Sequence, residues 1–122
     1  MISFERVSKR YPEGHDALRE VSVAIERDEL VFLTGHSGAG KSTLLRLIML
    51  MDRPTRGQVI VDGQNLAKIG SRGIPHHRRN IGVVFQNHQL LYDRSVFDNV
   101  ALPLIIAGYD HRDVGRRVRA AL

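Results

Sequence analysis

The sequence of 122 residues has no cysteine, no tryptophan and only four prolines. Without cysteine there is no disulfide framework, no thiolate zinc site and no cysteine nucleophile. No apolar run reaches the roughly 18–20 residues that cross a bilayer, and residues 1–20 lack the zones of a secretory leader. A reducing, cytoplasmic setting is therefore expected. Aromatic residues are scarce as well. Three tyrosines and four phenylalanines, dispersed along the chain, form no stacking ladder for nucleic acid. What remains is ordinary globular material, 43% hydrophobic and 25% charged, with room for one domain at most.

The net charge of +5 comes from one half of the chain. Residues 1–62 carry nine basic and nine acidic side chains, whereas residues 63–122 carry nine and four. The surplus sits at Arg72, Arg78, Arg79, Arg94 and the run Arg112, Arg116, Arg117 and Arg119. Arginines scattered over amphipathic segments read as a solvated face rather than a nucleic-acid footprint. His76 and His77 belong to the same wet basic face. They lack acidic partners, and adjacent histidines do not share one helical face for a metal.

Period and punctuation sketch the elements. Ile2–Val7 and Val21–Ile25 alternate and predict half-buried strands, with Pro12, Gly14 and Asp16 turning one into an antiparallel partner of the other. Leu30–Leu33 and Ile81–Phe85 are short continuous apolar runs, the pattern of strands buried on both faces of a parallel sheet. Ser42–Met51 has helical spacing and is stopped by Pro54 and Gly57. A further strand is predicted over Gln58–Val61, closed by Asp62-Gly63, and a helical turn or two over Ile74–Arg79. Ser95 opens a helix with Asp98 in the capping-box position, which Pro103 is expected to kink or end. A last basic helix is predicted from about Asp110.

One stretch carries chemistry. Gly35-His36-Ser37-Gly38-Ala39-Gly40-Lys41-Ser42 fits Gly-x-x-x-x-Gly-Lys-Ser/Thr at every fixed position, a match expected by chance in about 0.4% of chains this long. A buried run precedes it and a helix follows, as the motif requires. Glycines let successive N–H groups turn inward to make an anion concavity, and the helix start adds unpaired N–H groups and a positive dipole end. Lys41 reaches the β- and γ-phosphates as a point charge, and the Ser42 hydroxyl suits Mg²⁺. A plain turn needs neither the lysine nor three glycines. The loop reads as a nucleoside-triphosphate site. Thr43 is either a capping hydroxyl or an α-phosphate contact.

The loop with Thr43, followed 44 residues after Ser42 by Val84-Phe85-Gln86, resembles the ATP-binding domain of ABC-type ATPases. That resemblance implies an α/β P-loop NTPase (ABC ATPase) core with an N-terminal antiparallel β-flap. It implies ATP and Mg²⁺ as cofactors, held by Gly35, His36, Ser37, Gly38, Ala39, Gly40, Lys41, Ser42 and Thr43, with Tyr11 stacked on adenine. Tyr11 also reads as a plain strand-end aromatic, and His36 as an exposed, neutral loop position. Gln86 matches the glutamine that contacts Mg²⁺ and the attacking water. Ser42 and Gln86 are thus the expected metal contacts, and Lys41 and Gln86 the residues of catalysis that this chain holds.

Within the family, Phe32–Lys41, His88–Asn99 and Asn99–Gly108 resemble the bacterial cell-division ATPases of the FtsE type. The partner so implied is an FtsX-like integral membrane permease, received through about Asn87–Phe97. Leu90, Leu91 and Tyr92 would be partly exposed there, or would pack back on the sheet. A head-to-tail homodimer, peripheral on the cytoplasmic face of the bacterial inner membrane, completes the expectation. Residues 1–122 match the N-terminal part of a single nucleotide-binding domain, truncated before the signature helix and the Walker B strand. Nucleotide binding without turnover is therefore expected of this chain, as is a long uncovered apolar edge. Leu50 stands where the division ATPases often have glycine, and local misfit in packing is expected. Two alternatives remain: the ATPase of a lipoprotein, macrolide or amino-acid transporter, and a non-catalytic basic module acting through residues 72–119 on nucleic acid or anionic lipid.

Overall fold

Alternation in the first 25 residues produces a hairpin. In the computed structural model, which describes residues 1–122, β1 (Ile2–Arg10) pairs antiparallel with β2 (Asp16–Ile25), Phe4 opposite Val23 and Val7 opposite Val21. β3 (Arg56–Val61) lies antiparallel on the other side of β1. Asp62 and Gly63, both at positive φ as a two-residue hairpin turn requires, return it as the short β4 (Gln64–Asn65). The sheet order is β2-β1-β3-β4. α1 (Lys41–Ile48) turns Thr43, Leu44, Leu47 and Ile48 inward, one face of a 3.6-residue period. Leu44, Leu47 and Ile48 form the main core with Phe4, Val7 and Val59. α2 (Ile74–Arg79) completes this first compact unit, Met1–Ile81.

The second unit, Gly82–Leu122, is a pair of helices. α3 (Val96–Ile106) and α4 (His111–Ala121) pack through Ala101, Val114 and Val118. Both starts are capped by side chains, Ser95 accepting from the Asp98 N–H and Asp110 from the Asp113 N–H. The Ser95 hydroxyl also donates to the Asp98 carboxylate at 2.7 Å.

The predominantly parallel sheet is not what forms. Neither 30–33 nor 81–85 is a strand, and every ladder is antiparallel. Phe32 is 82% and Val84 97% exposed. An apolar run supplies side chains to bury, but a strand also needs a neighbour for its N–H and C=O groups. No strand of these 122 residues runs beside either segment. Nor does Pro103 end its helix. It forfeits one helical bond, to the Asn99 carbonyl, yet α3 runs on to Ile106 because Ala101 and Leu104 on either side pack against α4.

α1 and α3 end in the same way, with different residues. In α3 the Tyr109 N–H reaches the Leu104 carbonyl and the Gly108 N–H the Ile105 carbonyl, with Gly108 left-handed. In α1 the Met51 N–H reaches the Arg46 carbonyl and the Leu50 N–H the Leu47 carbonyl. There the left-handed residue is Leu50, at φ 53. No packing misfit results: Leu50 is 6% exposed and belongs to the main core. Leu50→Gly should relieve about 1–2 kcal/mol of backbone strain and forfeit roughly 2–5 kcal/mol of buried leucine. A net destabilisation of about 1–3 kcal/mol is expected in urea unfolding, and a stabilised variant would contradict this assignment.

Candidate functional site

The loop from Gly35 to Gly40 runs into α1 without any cap. No side chain bonds the first turn, no acidic residue occupies it, and Gly40 itself sits at φ 98. The first helical bond joins the Leu44 N–H to the Gly40 carbonyl at 3.0 Å. The N–H groups of Lys41, Ser42 and Thr43 are therefore left without an intrahelical acceptor at the positive end of the helix dipole. Ahead of them the Ala39 N–H closes on the His36 carbonyl at 3.1 Å, and Gly38 is left-handed at φ 81. Lys41 folds over this loop, its Nζ donating to the carbonyls of Gly35 at 2.5 Å and His36 at 2.7 Å. The result is a backbone concavity with a positive charge held beside it, which suits a polyphosphate.

The other loop positions divide by exposure. His36, Ser37, Ala39 and Ser42 face solvent, and His36 Nδ1 lies 2.8 Å from the Ser37 carbonyl. The Ser42 hydroxyl is thus accessible to a hydrated cation. Thr43 is buried and does not cap the helix; its Oγ1 lies 3.3 Å from the Tyr11 hydroxyl. Tyr11, just past the end of β1, is thus in contact with the residue that follows Ser42.

Around Tyr11 lies a polar network for which the sequence carried no signal. Lys9 Nζ donates to Asp52 Oδ1 at 2.7 Å and to the Arg53 carbonyl at 2.8 Å, and stands 5.0 Å from the Tyr11 ring centroid. Burial pushes the Asp52 carboxyl up, but the hydrogen bond and charge of Lys9, the Arg53 N–H and the Tyr11 hydroxyl together hold it below the usual carboxylate range. A carboxyl depressed on folding adds stability above its unfolded pKa of about 4, and that stability is lost as the pH falls through the lower folded value. Urea midpoints should therefore drop between pH 5 and pH 2 in steps that Asp52→Asn partly abolishes. Equal acid sensitivity in the variant would show that the pair contributes nothing.

His77 is a correction, while Arg78 stays exposed but is tied to backbone. Instead of facing water, His77 is buried with Nε2 2.7 Å from the Ile48 carbonyl. Arg78 donates to the carbonyls of Met49 and Leu50, both at 2.9 Å. The two side chains satisfy the orphan carbonyls at the negative end of α1, whose other end is the phosphate loop. Arg53 likewise donates to backbone, to the Leu66 and Ile69 carbonyls at 3.1 and 2.6 Å. Part of the basic surplus is therefore structural. Both residues lie within the predicted 74–79 helix, and the carbonyls they reach stand 29 or 28 residues back in the sequence, which hid the contact.

In the second unit Gln86 is exposed and leads into a loop in which His88 and Gln89 are both left-handed. Asn99 clamps that loop from α3. Its Oδ1 accepts the Leu91 N–H at 2.8 Å, and its Nδ2 donates to the Leu91 carbonyl at 3.0 Å and the Ser95 carbonyl at 2.9 Å. Leu90, Leu91 and Tyr92 are exposed, Tyr92 at 88%.

Residues 18–122 match the family model described as ABC transporter. The chain belongs to that family. It is 52% identical over its whole length to the cell division ATP-binding protein FtsE of Escherichia coli K12, covering 55% of that protein. It is 43% identical to the methionine import ATP-binding protein MetN of Aliivibrio fischeri, covering all of this chain and 36% of that one. The chain thus spans about half, or less, of the curated relatives it matches. Among solved structures, the ATP-binding cassette MJ0796, bound to ADP and Pi in a dimeric post-hydrolysis state, superposes with a TM-score of 0.89. The match covers 98% of this chain and 55% of that one, at 32% identity. The fold is therefore that of an ABC cassette, a P-loop NTPase, with its antiparallel sheet formed.

Proposed function

We propose that the protein is the ATP-binding subunit of an ABC-type complex of the FtsE kind, its 122 residues corresponding to the N-terminal part of one nucleotide-binding domain. The loop over residues 35–43 carries this reading: an uncapped helix start, two left-handed glycines and a lysine folded beside them. ATP is taken with its phosphates on Gly35–Thr43, its base on Tyr11 and Mg²⁺ on the Ser42 hydroxyl. Bound Mg²⁺ supplies charge neutralisation between the phosphates. Gln86 is assigned to the metal and the attacking water by resemblance alone. In the whole protein the cassette would pair head to tail with a second copy. It would work on the cytoplasmic face of the inner membrane, coupling ATP hydrolysis to septal wall remodelling through an FtsX-like permease seated on Asn87–Phe97. The exposure of Leu90, Leu91 and Tyr92 supports that seat.

A second reading, the ATP-binding subunit of an amino-acid importer, is favoured by the 43% identity to the MetN relative. Co-expression with a division permease and with an importer permease separates the two, since only one should co-purify. The site itself is tested by calorimetric titration with ATP. Saturable binding that weakens at least about tenfold when Mg²⁺ is chelated is expected. Binding indifferent to Mg²⁺ but steep in salt would instead favour the basic module.

A further inference from the structure

Lys9 is the least exposed of the ion-paired cations, its side chain only 12% exposed against 20% for its partner Asp52. Burying an ion pair is a poor way to gain stability, so the placement invites another explanation. The ammonium has three partners: the Asp52 carboxylate, the Arg53 carbonyl and the face of the Tyr11 ring. Arg46 Nε approaches the second Asp52 oxygen at 3.6 Å. The ring is fixed in turn at its far end, where the hydroxyl meets Thr43, the residue after Ser42 in the loop.

Resting on the nucleotide reading above, we propose that Lys9 and Asp52 are positioning residues for the base of the bound nucleotide. They present the Tyr11 ring with one face closed by the ammonium and the other open to a purine. The cation draws ring electron density toward itself, which makes the opposite face a better match for an electron-rich base. The Tyr11–Thr43 contact fixes the spacing between this platform and the phosphate loop. Base and phosphates are thereby registered by one side-chain chain running Asp52, Lys9, Tyr11, Thr43.

The test compares two probes, MgATP and Mg-tripolyphosphate, on wild type, Lys9→Met and Asp52→Asn. Tripolyphosphate reports the loop alone and so also shows whether each variant is folded. The expected result is an ATP affinity about tenfold lower in Lys9→Met, the lower end of what a base–aromatic stack contributes. Asp52→Asn should lose less, and tripolyphosphate affinity should stay unchanged in both. An unaltered ratio of the two affinities in Lys9→Met would overturn the proposal, whether both stay or both fall. Wild type that binds neither probe would overturn the nucleotide reading instead.

Discussion

Alanine at position 40 is expected to cost roughly 3–5 kcal/mol of stability and most of the nucleotide affinity at once. A Cβ on Gly40 would lie 2.4 Å from the Ala17 carbonyl oxygen and 2.9 Å from Leu18 Cδ2. The first of these is backbone of β2, which no rotamer change can move. The left-handed φ of 98 adds strain for any residue with a side chain. Either the loop lifts from β2 or β2 shifts, and both outcomes spoil the start of α1. Gly38→Ala supplies the control. It shares the left-handed φ but meets nothing within 4 Å, so only about 1–2 kcal/mol of strain is expected. Equal unfolding midpoints for the two variants would show that the contact with β2 is unimportant.

Lys41→Ala should behave in the opposite way, losing affinity while keeping the fold. Its ammonium bonds only to the Gly35 and His36 carbonyls, both exposed, which water can replace. A stability change within about 0.5 kcal/mol is expected, as for other surface sites. The bond proposed from it to a polyphosphate would be charge-assisted and worth roughly 3 kcal/mol, so MgATP affinity should fall about 100-fold. Urea unfolding and calorimetric titration on one preparation separate the two effects. An affinity within a few-fold of wild type would remove Lys41 from the phosphate site.

The contrast between these glycine and lysine substitutions tracks what was legible beforehand. Local chemistry was plain in the sequence: the cap at Ser95, the helix start near Asp110, the Asp62-Gly63 turn, the 74–79 helix and the loop itself each depend on neighbours within a few residues. Family membership was legible too, through the resemblance that the loop and Val84-Phe85-Gln86 carry. Long-range pairing was not. The runs 30–33 and 81–85 have the composition of buried strands, yet composition says nothing about whether a neighbouring strand is there to take their backbone groups. Distance in sequence also hid the Lys9–Asp52 pair, 43 residues apart, and the capping of α1 by His77 and Arg78. Leu50 illustrates a third kind of difficulty. A left-handed helix end asks for glycine, the core asks for leucine, and only the packed structure shows that the core prevails.

Backbone amide shifts during an MgATP titration test the central claim most directly, because they locate the ligand as well as detect it. The largest saturable changes are expected at Gly38, Gly40, Lys41, Ser42 and Thr43, with smaller ones at Tyr11, and all should disappear in Lys41→Ala. Changes that concentrate instead on the arginines of α4, fade steeply with added salt and survive Lys41→Ala would contradict it.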